Sequence, residues 1–446
     1  MEFVIKISQF LLSLSLLIVL HELGHFIPAK AFKTKVEKFY LFFDVKFSLF
    51  KKKIGDTVYG IGWLPLGGYV KIAGMIDESM DKEQMAQPPQ PWEFRSKPAW
   101  QRLIIMLGGV TVNFILAYLI FVFVALTYGN TDYDLSSFKD GYWIENEVLN
   151  DVGLRTGDKI LKVNGEEVKA HSDVIRNLIT AKEFTVERKG QIENISLPED
   201  FLGQLSSKKR SSLFSKRIPF MVAEVSDSSQ NIRVDLKKGD VLLSVEGKEL
   251  RYYDQLEARM SGYKNQTVEA KFLRDTDTIL RDLKVNGEGK IGIYPGLSER
   301  RFEELGYFDV TRREYTFAQS WGGGAEMFYE EFTGYFDQLK VLLTPSTGAY
   351  KGLGGFKAIF DIFPPFWSWE AFWRLTAFLS IMLGVLNLLP IPALDGGHVM
   401  FLLYEMISGR KPSEKFLERA QVIGFFILIA LVLFANGNDI FKAITN

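Results

Sequence analysis

Residues 3–25 read FVIKISQFLLSLSLLIVLHELGH, a long apolar run that ends in two histidines with three residues between them. The apolar part, Phe3 to Leu20, has the length and composition that predict a membrane-spanning helix. His21 and His25 lie on one face of such a helix, about 6 Å apart at their Cβ atoms, so both rings can reach one metal ion. Glu22 follows the first histidine, where its carboxylate can accept a proton from a nearby water molecule. The HELGH run therefore predicts a hydrolytic metal site at the end of a membrane helix.

Two other interpretations of this run are weaker. In the first, the histidines only hydrogen-bond to their neighbours. Ionisable side chains are costly inside an apolar span and usually have a function there, which favours the metal site. In the second, the run is a cleaved signal peptide. HELGH then occupies the position of the cleavage site, and the one small-x-small match, Ser13 and Ser15, lies inside the apolar core.

The composition excludes several classes of protein and site. The chain has 446 residues, which is enough for two or three domains, and its net charge of -1 with no long basic tract argues against nucleic-acid binding. It contains four histidines and no cysteine, so disulfides and thiolate metal ligands are excluded. Its mean hydropathy of +0.04 is high for a chain with 24% charged residues, so the apolar residues must be segregated.

Apolar runs near residues 3–20, 103–126, 371–389 and 416–435 flank a polar middle from about 130 to 300. Each run has roughly the 20 residues needed to cross a bilayer. The predicted fold is therefore a polytopic α-helical membrane protein with four transmembrane helices and a β-rich part between helices 2 and 3. The predicted boundaries are 1–129 for the first two helices, 300–370 for an amphipathic linker and 371–446 for the last two helices.

The lysines and arginines of the short loops predict the orientation. Eight lysines, between Lys30 and Lys53, follow the first span, and Arg410, Lys411 and Lys415 lie between the third and fourth spans. Both loops are expected on the cytoplasmic side. Both termini and the polar middle then lie outside, and HELGH lies toward the cytoplasmic side.

The polar middle contains an internal repeat. LRTGDKILKVNGEEV at 154–168 aligns with LKKGDVLLSVEGKEL at 236–250, with a constant offset of 82 residues. Each copy predicts a Gly-Asp turn, an alternating strand and a second turn. Both copies resemble PDZ domains, expected at 130–212 and 213–299. PDZ domains commonly bind a peptide as an added strand, although these copies could also act only as spacers.

After the repeat, apolar residues recur at helical spacing within 317–343. This amphipathic segment is predicted either to lie in the membrane interface or to pack on a PDZ domain.

A hydrolytic zinc site needs a third protein ligand. The end of the third span reads NLLPIPALDGGH and supplies Asp395 and His398. A carboxylate at the end of an apolar span is costly unless it lies beside a cation, which favours Asp395 as the ligand. The alternatives are that Asp395 caps a following helix, or that His398 is the ligand. His398 could also support Asp395 from behind.

The combination of HELGH in a first span, LDGG after a later span and PDZ copies between them resembles the site-2 proteases, which are intramembrane zinc metalloproteases. The resemblance implies one Zn²⁺ ion held by His21, His25 and Asp395, with Glu22 as general base.

The resemblance also implies a set of substrate-binding residues. Asn387 would hold the substrate backbone, and the Gly109-x-x-x-Asn113 element would face the active site. The run from Gly60 to Gly74 would form a membrane-re-entrant β-hairpin, in which Gly67, Gly68, Tyr69 and Val70 meet the substrate. Non-helical backbone at membrane depth is tolerated where protein or a water cavity satisfies it.

The function implied is hydrolysis of peptide bonds within transmembrane segments of single-pass proteins, such as anti-sigma factors or remnant signal peptides. The expected partners are such segments, trimmed beforehand by another protease, and the lipid bilayer; the PDZ domains would gate access. Two other functions stay open: a peptide-binding receptor in which HELGH is vestigial, and a zinc transporter.

Overall fold

The computed structural model describes residues 2–65, 67–75, 87–207 and 212–445. These residues form two compact units. The first comprises described segments within Met1–Asn130, Glu314–Leu339 and Leu353–Asn446, and the second comprises segments within Thr131–Arg313 and Lys340–Gly352. Each unit is described by itself.

The helices are, in chain order, α1 (Glu2–Ala31), α2 (Ala99–Tyr128), α3 (Glu147–Asp151), α4 (His171–Asn177), α5 (Phe201–Ser207), α6 (Leu256–Ser261), α7 (Glu299–Glu304), α8 (Phe317–Leu342), α9 (Phe356–Asp361), α10 (Trp369–Leu388), α11 (Asp395–Ser408) and α12 (Glu414–Thr445). The strands are β1 (Val36–Leu41), β2 (Phe43–Ile54), β3 (Thr57–Leu64), β4 (Tyr69–Ile72), β5 (Asn130–Tyr133), β6 (Tyr142–Trp143), β7 (Lys159–Val163), β8 (Glu166–Glu167), β9 (Glu183–Arg188), β10 (Gln191–Ser196), β11 (Ser215–Lys216), β12 (Val222–Val225), β13 (Val241–Val245), β14 (Lys248–Glu249), β15 (Thr267–Arg274), β16 (Asp277–Lys284), β17 (Ile293–Pro295) and β18 (Val310–Arg313).

Four helices of the first unit are long and apolar enough to cross a membrane, namely α1, α2, α10 and α12. They coincide with the four apolar runs of the sequence, so the prediction of four such helices is confirmed for the described residues. The shortest, α10, has 20 residues, which at 1.5 Å per residue still matches the hydrocarbon thickness of a bilayer.

Helices α1 and α2 cross in direct backbone contact at two glycines. A Cβ atom on Gly24 would lie 2.4 Å from the carbonyl oxygen of Gly108, and one on Gly108 would lie 1.9 Å from that of Gly24. Small residues allow membrane helices to approach this closely. Because Gly24 precedes His25, the crossing brings α2 against the HELGH run.

A four-stranded sheet follows α1, with the strand order β2-β3-β1-β4. β1 pairs with β3 in parallel and with β4 in antiparallel orientation. β4 is therefore an edge strand within this sheet. The predicted re-entrant hairpin corresponds to the end of β3 and to β4, while its residue Leu66 lies outside the described residues. Its depth in a membrane stays a prediction.

The amphipathic segment forms α8. Its apolar side packs against α2 and α10, where Met327 and Tyr335 are buried. The approach is close, since a Cβ atom on Gly324 would lie 2.6 Å from the backbone nitrogen of Val122. The sequence left open a location in the membrane interface or on a PDZ domain; packing on these helices is an arrangement that neither alternative included.

The second unit shows the sequence repeat as a repeated topology. The first copy has the strand order β10-β9-β7-β8, and the second has the equivalent order β16-β15-β13-β14. β7 and β13 are the central alternating strands of the two aligned motifs. β7 directs Ile160 and Val163 into the core of the first copy, and β13 directs Leu242 and Val245 into that of the second.

The Gly-Asp turn has the same buried ion pair in both copies. The Asp158 carboxylate accepts two hydrogen bonds from the Arg188 guanidinium, both at 2.7 Å. Asp240 accepts the equivalent pair from Arg274, at 2.9 and 2.8 Å. Each aspartate also accepts from a backbone N–H of its own turn. These paired contacts fix the start of the central strand in each copy.

Candidate metal centre

Three potential metal ligands converge near the C-terminal end of α1. Nε2 of His21 lies 3.3 Å from Nε2 of His25. Oδ2 of Asp395, on the first residue of α11, lies 3.4 and 3.3 Å from these two nitrogen atoms. Both histidines are buried. The three groups can therefore direct one ligand atom each at a common point, as a metal site requires.

The hydrogen bonds around His25 show that this arrangement fits a metal ion. Nδ1 of His25 lies 2.8 Å from the carbonyl oxygen of Ile105, so Nδ1–H donates and Nε2 carries the lone pair. Nε2 therefore faces the carboxylate as an acceptor. Oδ2 of Asp395 is buried, and no described residue donates a hydrogen bond to it. Two hydrogen-bond acceptors that face each other repel, and a cation between them removes this repulsion. Zinc is commonly bound by histidine nitrogen and carboxylate oxygen atoms.

The fully buried amide of Asn113 supports His21 from behind. Its Nδ2 lies 3.1 Å from Nδ1 of His21, while its Oδ1 has no partner within the described part of the chain. The two amide orientations are distinguished only by their hydrogen bonds. Turning the amide places Oδ1 against Nδ1–H of His21 and leaves Nε2 free for a metal. Asn113 thus contacts a histidine and does not line the cavity in front of the site.

That cavity has a volume of about 470 Å³ and is lined by Glu22 as well as by the three candidate ligands. The Glu22 carboxylate accepts a hydrogen bond from the backbone of Val70 in β4. Gly68 allows the start of β4 to lie this close to α1, because a Cβ atom there would lie 2.5 Å from Cγ2 of Ile18. The glutamate is therefore held at the cavity wall beside the ligands.

The remaining predicted residues take different places. Gly68, Tyr69 and Val70 line the cavity. Gly67 does not line it and lies against the ring of Phe43. Nδ2 of Asn387, at the end of α10, lies 3.3 Å from Nε2 of His21.

The alternatives for Asp395 and His398 can be compared directly. The cap position of α11 is Leu394, and Asp395 is the first helical residue. His398 lines the cavity, but among the described residues the cluster of potential ligands comprises His21, His25 and Asp395.

Of two further residues close to this site, Gln421 was not predicted from the sequence, and Gly109 was predicted only as part of an element. Gly109 lies against both histidine rings, and Gln421 of α12 lines the cavity and is buried. An amide near the start of the apolar run 416–435, just after Glu418 and Arg419, was the available signal for Gln421. Gly109 carried no signal of its own beyond its place in the Gly109-x-x-x-Asn113 element.

Comparison with known proteins places the chain in a family. The model of peptidase family M50 matches residues 9–431, which is nearly the whole chain. A protein of Rickettsia conorii is 27% identical over 98% of both chains. One of Fusobacterium nucleatum is 28% identical over 96% of both, and one of Vibrio cholerae is 27% identical over 96% of this chain and 97% of its own. Each of the three is named "Putative zinc metalloprotease". The chain therefore belongs to peptidase family M50, the site-2 protease family of membrane zinc metalloproteases.

Proposed function

We propose that this protein is an intramembrane endopeptidase in which His21, His25 and Asp395 hold the zinc ion and Glu22 is the general base. The convergence of the three side chains, with Oδ2 of Asp395 3.3–3.4 Å from both Nε2 atoms, carries the proposal. It joins a helix at the start of the chain to one near its end.

The chemistry divides between the metal and the chain. Bound zinc supplies a Lewis acid for the scissile carbonyl and for water. Glu22, oriented by the backbone of Val70, takes a proton from the attacking water and later delivers it to the leaving amine.

The substrate is proposed to bind as an extended strand. A transmembrane helix hides its carbonyl groups in its own hydrogen bonds, so it must unwind before hydrolysis. Among the described residues, β4 is an edge strand of its sheet, and Gly68, Tyr69 and Val70, at its start, line the cavity. A peptide can add to a sheet at such an edge as a further strand. Asn387, beside His21, is placed to hold the peptide backbone.

The setting proposed is a bacterial inner membrane with both termini and the two repeat copies in the periplasm, as the lysine-rich loops indicate. The repeat copies would act as tandem PDZ domains that exclude substrates with bulky external domains until another protease trims them. The substrates would be single-pass segments, such as anti-sigma factors or remnant signal peptides, as for proteases of the regulator-of-sigma-E type. Replacing residues 131–298 by a flexible linker should then permit cleavage of an untrimmed substrate, and unchanged discrimination would contradict the gate.

Glu22→Gln tests the catalytic proposal. Purified variant in liposomes should cleave a single-pass model substrate about 10²–10⁴-fold more slowly than the unmodified protein, with its zinc content unchanged. Glu370→Gln is the matched control, because Glu370 forms an ion pair with Arg374 at the start of α10 and neither residue lines the cavity; its rate should not change. Cleavage by Glu22→Gln at the normal rate would refute the assignment of the base. A receptor would instead bind peptide without cleaving it, and a transporter would move zinc into sealed vesicles.

A further inference from the structure

The chain reaches Asp395 through a turn with an unusual backbone conformation. α10 ends at Leu388, and the next residues include two prolines before Ala393. Ala393 has a φ of 81°, in the left-handed region that side-chain-bearing residues rarely adopt. Such a conformation persists only where the surroundings hold it. Asp395 follows two residues later, so the conformation of Ala393 sets the direction from which its carboxylate approaches the histidines.

α12 provides the contacts that hold this turn. Oε1 of Gln421 accepts a hydrogen bond of 3.1 Å from the backbone N–H of Ala393. One helical turn later, Gly424 lies against the same segment, so that a Cβ atom there would lie 1.6 Å from the carbonyl oxygen of Pro392. The backbone of α12 therefore rests directly on the turn, and the Gln421 amide reaches its N–H.

The burial of Gln421 indicates that its hydrogen bond to Ala393 matters for the conformation of the turn. Most residues in the apolar span of α12 are not covered by other parts of the protein, whereas Gln421 is only 5% exposed. A polar amide in an apolar span is costly unless it is hydrogen-bonded. Without Gln421, the N–H of Ala393 would lose the acceptor that fixes the strained residue.

We infer that Gln421 is a positioning residue for the metal centre: by fixing Ala393, it orients Asp395 toward His21 and His25. This inference rests on the proposed role of Asp395 as a ligand. It makes the fourth span part of the site, although no atom of Gln421 belongs to the ligand cluster.

The experiment compares zinc affinities of full-length variants in detergent or nanodiscs, measured by competition with a chelator. Gln421→Met keeps the length of the side chain and removes the acceptor, and should weaken zinc binding about 10- to 100-fold, the usual effect of losing a contact behind a ligand. Gln421→Glu keeps an acceptor oxygen and should restore affinity to within a few-fold. Asn436→Leu is the matched control. Asn436 is also an amide of α12 that accepts a hydrogen bond from a backbone N–H, that of Phe356 at the start of α9, but α9 carries none of the candidate ligands. Its zinc affinity should not change.

A second variant separates orientation from simple packing. Ala393→Gly removes the steric cost of the left-handed conformation, so the turn no longer depends on one hydrogen bond. In the Gln421→Met background it should recover much of the lost zinc affinity, whereas a packing defect would not respond. Hydrogen exchange of the metal-free proteins should show faster exchange around Ala393 in Gln421→Met.

The outcomes are distinct. Normal zinc affinity in Gln421→Met, or no recovery on adding Ala393→Gly, would overturn the inference while leaving the proposed function intact. Normal zinc affinity in Asp395→Asn would overturn the ligand assignment and the inference together.

Discussion

Gly109 of α2 lies directly against His25 of α1: a Cβ atom on Gly109 would come within 2.4 Å of Nε2 of His25. The same atom would lie 2.6 Å from Cε1 of His21. The absence of a side chain at this position is therefore what lets α2 pass directly alongside both rings while Asn113, one turn later, contacts His21.

Gly109→Ala should consequently disrupt the metal centre. The added methyl group must displace one or both rings, since the histidines are buried and packed. We expect zinc affinity and cleavage rate each to fall at least about tenfold, which corresponds to about 1.4 kcal/mol. Gly437→Ala on α12 is the control, because nothing lies within 4 Å of its added methyl group. Normal zinc binding by Gly109→Ala would contradict the described packing.

Zinc removal should loosen the contact between α1 and α11. The buried acceptors His25 and Asp395 then face each other without a cation, which is unfavourable at short range. A chelator should lower the melting temperature of the unmodified protein and speed hydrogen exchange at the start of α11. Saturating zinc at about 100 times its dissociation constant should stabilise the protein by about 2.7 kcal/mol. His25→Ala should show little of this zinc-dependent shift; a full shift would indicate that zinc binds elsewhere.

The duplicated ion pair predicts matched effects in the two repeat copies. Asp158 and Asp240 are each 1% exposed, so removing the arginine leaves a buried carboxylate without its cation. Arg188→Ala and Arg274→Ala should each destabilise their own copy by about 2 kcal/mol or more. Hydrogen exchange of the full-length protein, followed separately in β7 and β13, measures each effect.

Lys290→Ala is the control for these variants. Its pair with Glu288 is exposed, at 73% and 71% of the side-chain surfaces, and exposed pairs contribute little. If Lys290→Ala lost as much stability as Arg188→Ala, burial of the ion pair would not be what determines its contribution to stability.

His171 predicts a pH dependence in the first copy. Burial lowers the pKa of His171, the nearby Lys216 lowers it further and Asp132 opposes them. Nδ1 of His171 lies 2.8 Å from the Tyr142 hydroxyl, whose pKa is raised by burial; the hydroxyl therefore stays protonated and shares a hydrogen bond with the neutral ring. Tyr133 packs edge-on against the same ring.

The lowered pKa of His171 determines how the stability of the first copy changes with pH. Above about pH 6.5 the ring is neutral in both folded and unfolded protein, so His171 adds no pH dependence there. Below that value the unfolded chain takes up a proton that the folded protein resists, and the first copy loses stability as pH falls. Hydrogen exchange around α4, corrected for the intrinsic effect of pH, should show faster opening between pH 7 and 5. His171→Gln should flatten this dependence, and an unchanged slope would exclude His171 as its source.

Local patterns in the sequence were sufficient for the parts of this protein that depend on neighbouring residues. Apolar runs of bilayer length predicted the long helices, because hydropathy acts within each segment. The spacing of His21 and His25 predicted two rings on one helix face, because helical geometry alone places them together. The 82-residue repeat predicted a duplicated strand motif, and β7 and β13 follow it.

Only the tertiary structure decided which distant groups complete the site. His25 and Asp395 are separated by most of the chain, and their contact depends on the crossing of α1 and α2 at Gly24 and Gly108 and on the turn before α11. The contribution of Gln421 likewise depends on how α12 packs on that turn. These are steric and hydrogen-bonding relations between segments that have no fixed distance along the chain, so the sequence determined the HELGH half of the site while packing determined the other half.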